Sequence, residues 1–143
     1  MIALRHDRIR DIVDTVFVTS DENTLVAEGA RALYKQEQRT IVVTRLNAST
    51  GQRIPVGIVT ERDFIFRVVA QNRGPFKVKL KDIMSTPIIT IEEDRSVEEA
   101  MGILNKHKIN RLPVVHHNSI IGIVTTEMIM SNVSIEKHVD SEL

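Results

Sequence analysis

Apolar runs rich in β-branched residues alternate along this chain with amphipathic stretches of helical spacing, and the whole alternation occurs twice. In the first half, Ile41-Val42-Val43 and Val56-Gly57-Ile58-Val59 flank the polar residues 45–53, which predicts a hairpin with a long, solvent-exposed tip. The second half joins matching runs, Leu112-Pro113-Val114-Val115 and Gly122-Ile123-Val124, through the shorter polar residues 116–119. A helix precedes each hairpin. Ser96 with Glu99 has the capping-box pattern, and Val97, Ala100, Met101, Leu104 and His107 follow as a core-facing stripe. Thr24 opens the equivalent helix of the first half, with a thinner stripe of Leu25, Gly29, Ala32 and Leu33. Gly29 weakens that helix by about 1 kcal/mol relative to alanine. A second helix is expected after each Gly-Ile-Val-Thr strand, over residues 61–70 and 126–132.

The alternation is a true internal repeat. Gly57-Ile58-Val59-Thr60 returns as Gly122-Ile123-Val124-Thr125, Asp11-Ile12-Val13 as Asp82-Ile83-Met84, and Arg39-Thr40-Ile41-Val42-Val43 as Arg111-Leu112-Pro113-Val114-Val115. Repeat one occupies residues 8–72 and repeat two residues 79–141, with residues 73–78 as a linker punctuated by Gly74-Pro75. Tandem copies of this kind bury their apolar faces against each other, so a ligand site is expected in a cleft between them.

Composition narrows the function. An apolar fraction of 42% beside 27% charged residues is that of a folded, soluble protein. Lys plus Arg equals Asp plus Glu at 19 each, which withholds the bulk positive charge that nucleic-acid binding runs on. Cysteine is absent, so disulfides and thiolate metal sites are excluded. The apolar runs fall far short of the roughly 20 residues that span a bilayer, and the N-terminal residues lack a signal-peptide pattern. The expected location is cytoplasmic, with no membrane partner.

Candidate chemistry concentrates after the first Gly-Ile-Val-Thr strand. Thr60 and Asp63 form a capping box at the start of a helix, and the same carboxylate is suited to two adjacent ribose hydroxyls. Both readings are open, since a carboxylate has several lone pairs. In repeat two the aspartate position is Met128, which packs but cannot fix a diol, and Glu127 points about 100° away around the helix. Arg39 and Arg111, at matched positions before a core strand, are either solubilising residues or phosphate partners. Thr86-Pro87-Ile88 forms an extended lead-in that can read an adenine edge while Ile88 covers its face, or is plain structure. His6, His107, His116, His117 and His138 are scattered, and no metal cage or catalytic arrangement emerges. No enzyme is expected.

The repeated block, above all residues 78–87 through Arg111-Leu112-Pro113-Val114-Val115 to Gly122-Ile123-Val124-Thr125, resembles the cystathionine-β-synthase (CBS) domain family. The resemblance covers nearly the whole chain as a tandem pair. It implies an α/β (α+β) fold of two β-α-β-β-α units packed sheet to sheet with pseudo-two-fold symmetry, a Bateman module. It further implies a homodimer shaped as a flat disc of four units, and a regulatory role through an adenosine-containing ligand. Carried over residue by residue, it places ribose on Thr60 and Asp63, phosphate on Arg39, and the base against Thr86, Ile88 and Pro113. Two departures stand out: Met128 in repeat two, and Ile41 where the family often has proline. The expected function is a regulatory module that binds one AMP, ADP or ATP per chain, ahead of S-adenosylmethionine, and modulates an unidentified partner. The alternative is an interaction module that needs no ligand. No cofactor or metal is implied.

Overall fold

The computed structural model describes residues 2–135, a mixed α+β fold of two three-stranded sheets and four helices, with a further two-stranded ribbon. His138 and the end of repeat two lie outside the described residues. The chain forms two compact units that interleave the two repeats. One gathers Val16–Ile89 with the tip residues His117–Ile120; the other combines the chain up to Thr15 with Thr90–His116 and the residues from Ile121 onward.

In the first unit, β2 (Val18–Asp21) runs parallel to β3 (Thr40–Leu46), which pairs antiparallel with β4 (Arg53–Thr60). Helix α1 (Val26–Gln36) connects β2 to β3, and α2 starts at Glu61–Asp63 and widens into a π-helical segment over Phe64–Val69. The Ala70 amide reaching the Ile65 carbonyl at 2.8 Å marks that widened turn. Ile41, Val43 and Val59 from the sheet, Val26 and Leu33 from α1, and Leu80 and Ile83 from the start of repeat two make the core. Gly29 is where α1 comes close: a Cβ there would lie 3.0 Å from Leu80 Cδ2 and 3.2 Å from Ile41 Cδ1.

The second unit repeats the plan with β5 (Ile91–Glu92), α3 (Val97–His107), β6 (Arg111–His116), β7 (Ser119–Thr125) and α4 (Thr126–Asn132). Its sheet has the order β5-β6-β7, and a separate ribbon pairs β1 (Ile2–Leu4) with β8 (Val133–Ile135). The β6–β7 turn places His117 and Asn118 at positive φ, 49° and 66°, the backbone of a tight hairpin whose twist suits the strands.

Each unit is completed by the lead-in of the other repeat. Ser85 and Ile58 exchange backbone hydrogen bonds of 2.9 and 3.2 Å; at the matched place in the second unit, Asp14 and Ile123 exchange two of 3.0 Å. The lead-ins also cap the helices. Val26 and Ala27 amides at the start of α1 donate to the Val78 and Pro75 carbonyls at 2.8 and 3.0 Å, and the Val97 amide of α3 donates to the Asp7 carbonyl at 2.8 Å.

These contacts correct the expected opening of α1 at Thr24. The N-cap residue is Leu25, whose side chain cannot accept, and the exposed amides are met by distant carbonyls instead. In α3 the cap is Ser96 as expected, its hydroxyl accepting from the Glu99 amide at 3.0 Å. Two members of the expected α3 stripe face outward: Met101 is 42% exposed and His107 is exposed, while Val97, Ala100 and Leu104 are buried.

Candidate functional site

Strand β4 ends at Thr60 with extended backbone, and the chain turns at once into α2. At the turn the Glu61 amide donates to the Arg39 carbonyl at 3.0 Å, and Asp63 takes the donors of Thr60. Its Oδ2 accepts from the Thr60 amide at 2.8 Å and from the Thr60 hydroxyl at 3.4 Å. Its Oδ1 lies 3.4 Å from Arg67 Nε, one helical turn on. Arg67 in turn donates through Nη1 to the Ile83 carbonyl at 2.8 Å, binding the helix to the lead-in of repeat two. The Asp63 side chain is only 13% exposed, so its charge is held by these partners rather than by water.

The first compact unit therefore contains five of the six residues singled out from the sequence: Arg39, Thr60, Asp63, Thr86 and Ile88. Thr86 follows Ser85, the residue bridged to Ile58, and is exposed; Ile88 is half-buried. Pro113 is buried in β6 of the other unit. Arg39 immediately precedes β3. Its side chain is 72% exposed, 4.0 Å from Glu61, and lines a groove of about 600 Å³ with Leu33, Tyr34, Glu61 and Phe64 on the helix side of the sheet.

Strand register sets Arg39 on a different face from Thr60. Thr40 pairs with Thr60 across β3 and β4, and directly opposed residues present side chains on the same face. Arg39, one residue earlier, alternates to the other face. Thr40 is 5% exposed, and its hydroxyl oxygen is buried with no hydrogen-bond partner among the described residues. The residue attracted no notice in the sequence, although its repeat partner, Leu112, lacks the hydroxyl in the same way that Met128 lacks the carboxylate.

The matched position in the second unit is built differently. The Met128 amide donates to the Thr125 hydroxyl at 3.1 Å, so that threonine caps the helix without an acid. Beside it lies a cavity of about 470 Å³ lined by Arg5, His6, Ile12, Glu127, Met128 and Ser131, among others. Arg5 and His6 were invisible as pocket residues in the sequence because they precede the repeat. They are fixed by Asn132, whose side-chain amide donates to the His6 carbonyl and accepts from the His6 amide, both at 2.9 Å.

Electrostatics away from the pocket hold the first sheet together. Arg53 beside Asp21, at 2.7 Å, and the Asn23 amide hold the Asp21 carboxyl below its ordinary range. Arg45, bidentate on Glu22 at 2.6 and 3.0 Å, does the same for that carboxyl. Among the described residues no group of three or more His, Asp or Glu side chains is arranged to hold a metal ion. No helix among them is long and apolar enough to cross a membrane.

Comparison with known proteins matches the chain as two successive repeats. The model of the CBS domain matches twice, over residues 9–70 and 80–135. An uncharacterized protein of Methanopyrus kandleri is 48% identical over 77 residues, 53% of this chain and 39% of its own. The CBS domain-containing protein YhcV of Bacillus subtilis is 28% identical over 116 residues, covering 81% of this chain and 78% of its own. Among solved structures, the CBS domain pair of protein MJ0100 in complex with 5′-methylthioadenosine and S-adenosyl-L-methionine superimposes with a TM-score of 0.70. It is 29% identical and covers 92% of this chain and 95% of its own. The matched region spans about two fifths of the length of the Methanopyrus kandleri protein and of an uncharacterized protein of Methanocaldococcus jannaschii.

Proposed function

The chain belongs to the CBS domain family, and on that premise we propose that it is a regulatory module that binds one adenine nucleotide per chain through its first repeat. The carrying observation is the asymmetry between the repeats. Asp63 stands at the mouth of α2 with its carboxylate fixed by the Thr60 amide, and the matched position of α4 is Met128. A fixed carboxylate can take two neighbouring ribose hydroxyls on its remaining lone pairs, a task for which a thioether has no acceptor of comparable strength. Thr60 supports the same sugar. Thr86 and Ile88, on the lead-in bridged to β4, supply backbone groups and an apolar side chain for the base. Arg39 is exposed on a flexible stem and serves the phosphate by swinging from Glu61.

A relative 29% identical in sequence and alike over most of both chains holds two adenosine-containing ligands, which favours an adenosine ligand here. Binding would be read out as altered contact with a second copy of the chain or with a regulated partner. Titrating AMP, ADP, ATP and S-adenosylmethionine by calorimetry tests the reading. Asp63→Ala is expected to weaken binding about 10- to 100-fold, the loss of charge-assisted hydrogen bonds to the sugar. Unchanged affinity in that variant removes the assigned anchor.

A second reading, an interaction module that needs no ligand, is favoured by one observation. Ile65, Phe66 and Val69 on α2 are 55%, 51% and 73% exposed, an apolar presentation that suits a protein partner. Nucleotide released by heating the purified protein would count against it.

A further inference from the structure

Among the described residues, Thr40 carries the buried hydroxyl left unpaired. Its oxygen is closed to solvent and has no hydrogen-bond partner among the described residues, although burying a hydroxyl in this way costs stability. The position is not arbitrary. Thr40 opposes Thr60 in the β3–β4 register, so the two threonines share one face of the sheet, beside the start of α2. The flanking residues of that face are apolar: Val42 is fully buried and Ile58 half-buried. In repeat two the equivalent residue is the fully buried Leu112, which shows that the fold accepts an apolar side chain at this place. A hydroxyl is retained in the repeat that retains Asp63 and absent from the repeat that lacks it.

We propose that the Thr40 hydroxyl is a ligand-dependent contact: unpaired in the protein alone, it hydrogen-bonds an oxygen of the nucleotide's sugar–phosphate once the nucleotide sits against Thr60. This rests on the nucleotide-binding reading and adds a coupling to it. Because the oxygen is covered, a ligand reaches it only in a form whose covering side chains have shifted. Satisfying the hydroxyl therefore favours that form, and the ligand shifts the population by its differential affinity for it. Thr40 acts both as a specificity residue and as the cost that the unliganded form carries.

The test pairs Thr40→Val, which keeps the shape and removes the hydroxyl, with Thr40→Ser, which keeps the hydroxyl. Without ligand, Thr40→Val is expected to melt about 2–4 °C above the wild type, because an unpaired buried group has been removed. In AMP titrations the same variant is expected to bind about tenfold more weakly, and Thr40→Ser within about twofold of the wild type. Wild-type affinity in Thr40→Val, with binding still lost in Asp63→Ala, overturns the Thr40 contact and leaves the nucleotide-binding reading standing. A Thr40→Val protein that melts below the wild type, or fails to fold, marks an ordinary structural threonine and also overturns it. Wild-type protein that binds none of the adenosine ligands overturns both.

Discussion

The Arg67 guanidinium donates to the Ile83 carbonyl at 2.8 Å, so the helix carrying Asp63 is tied to the chain that leads into repeat two. The same guanidinium faces Asp63 at 3.4 Å. Replacing it by methionine keeps much of the stem's packing and removes both polar links. Arg67→Met is expected to cost about 1 kcal/mol of stability, the usual worth of one such hydrogen bond, with little added by the half-exposed ion pair. Urea denaturation with an unchanged slope checks it; wild-type stability would show that the link to Ile83 contributes nothing.

The two matched glycines separate a soft contact from a hard one. A Cβ at Gly57 would meet Met84 along its side chain, Sδ at 2.5 Å, Cγ at 2.8 Å and Cβ at 3.1 Å, and that side chain can still change rotamer. A Cβ at Gly122 would run into the backbone oxygen of Asp14, which has no rotamer to retreat into. Gly122→Ala is therefore expected to lose about 3 kcal/mol or more, and Gly57→Ala about 1–2 kcal/mol. Met84→Ala should be less damaging in the Gly57→Ala background than in the wild type, a coupling that a double-mutant cycle of melting curves measures.

Acid should cost the first sheet its two ion pairs only below the range in which ordinary carboxyls titrate. Asp21 and Glu22 have folded values held below their ordinary ones, chiefly by hydrogen bonds from Arg53 and Arg45. A carboxyl whose folded pKa is depressed binds fewer protons folded than unfolded in the window between the two values. Its contribution is therefore complete above the unfolded value and is lost as pH falls through the folded one. Stability measured from pH 7 downward is expected to fall less steeply below the ordinary carboxylate range, about pH 4, when both arginines are replaced by methionine. Identical pH profiles would assign the acid sensitivity to other groups.

Sequence pattern alone located the hairpins, the second helices and the unequal acid at position 63, because each is written in local spacing or in a residue that repeat two lacks. What escaped is non-local. The cap of α1 is supplied by the Val78 and Pro75 carbonyls, about fifty residues away, whereas the nearby hydroxyl that local pattern favours, Thr24, lies one residue before the true N-cap. The π-helical turn after Asp63 leaves the apolar residues 64–69 looking like an ordinary amphipathic helix. Met101 and His107 fit the spacing of the α3 stripe, yet only the packing of its neighbours decides how wide the buried stripe is. Thr40 was silent for a similar reason: a threonine opening a strand is unremarkable until its register against Thr60 and its missing partner are known. Arg39 joins Thr60 in the site that the family resemblance implies, while strand alternation, visible only in the register, sets Arg39 on the other face from Thr40 and Thr60.

Because Asp14 closes onto Ile123 while Ser85 closes onto Ile58, neither repeat owns all the backbone it needs. A gene fragment cut at Gly74 would encode a sheet with an open flank and a spare strip of chain made to fit somebody else's. Such half-proteins should seek one another, and the covalent join between them makes permanent, within one polypeptide, a bargain that two separate molecules could already have struck.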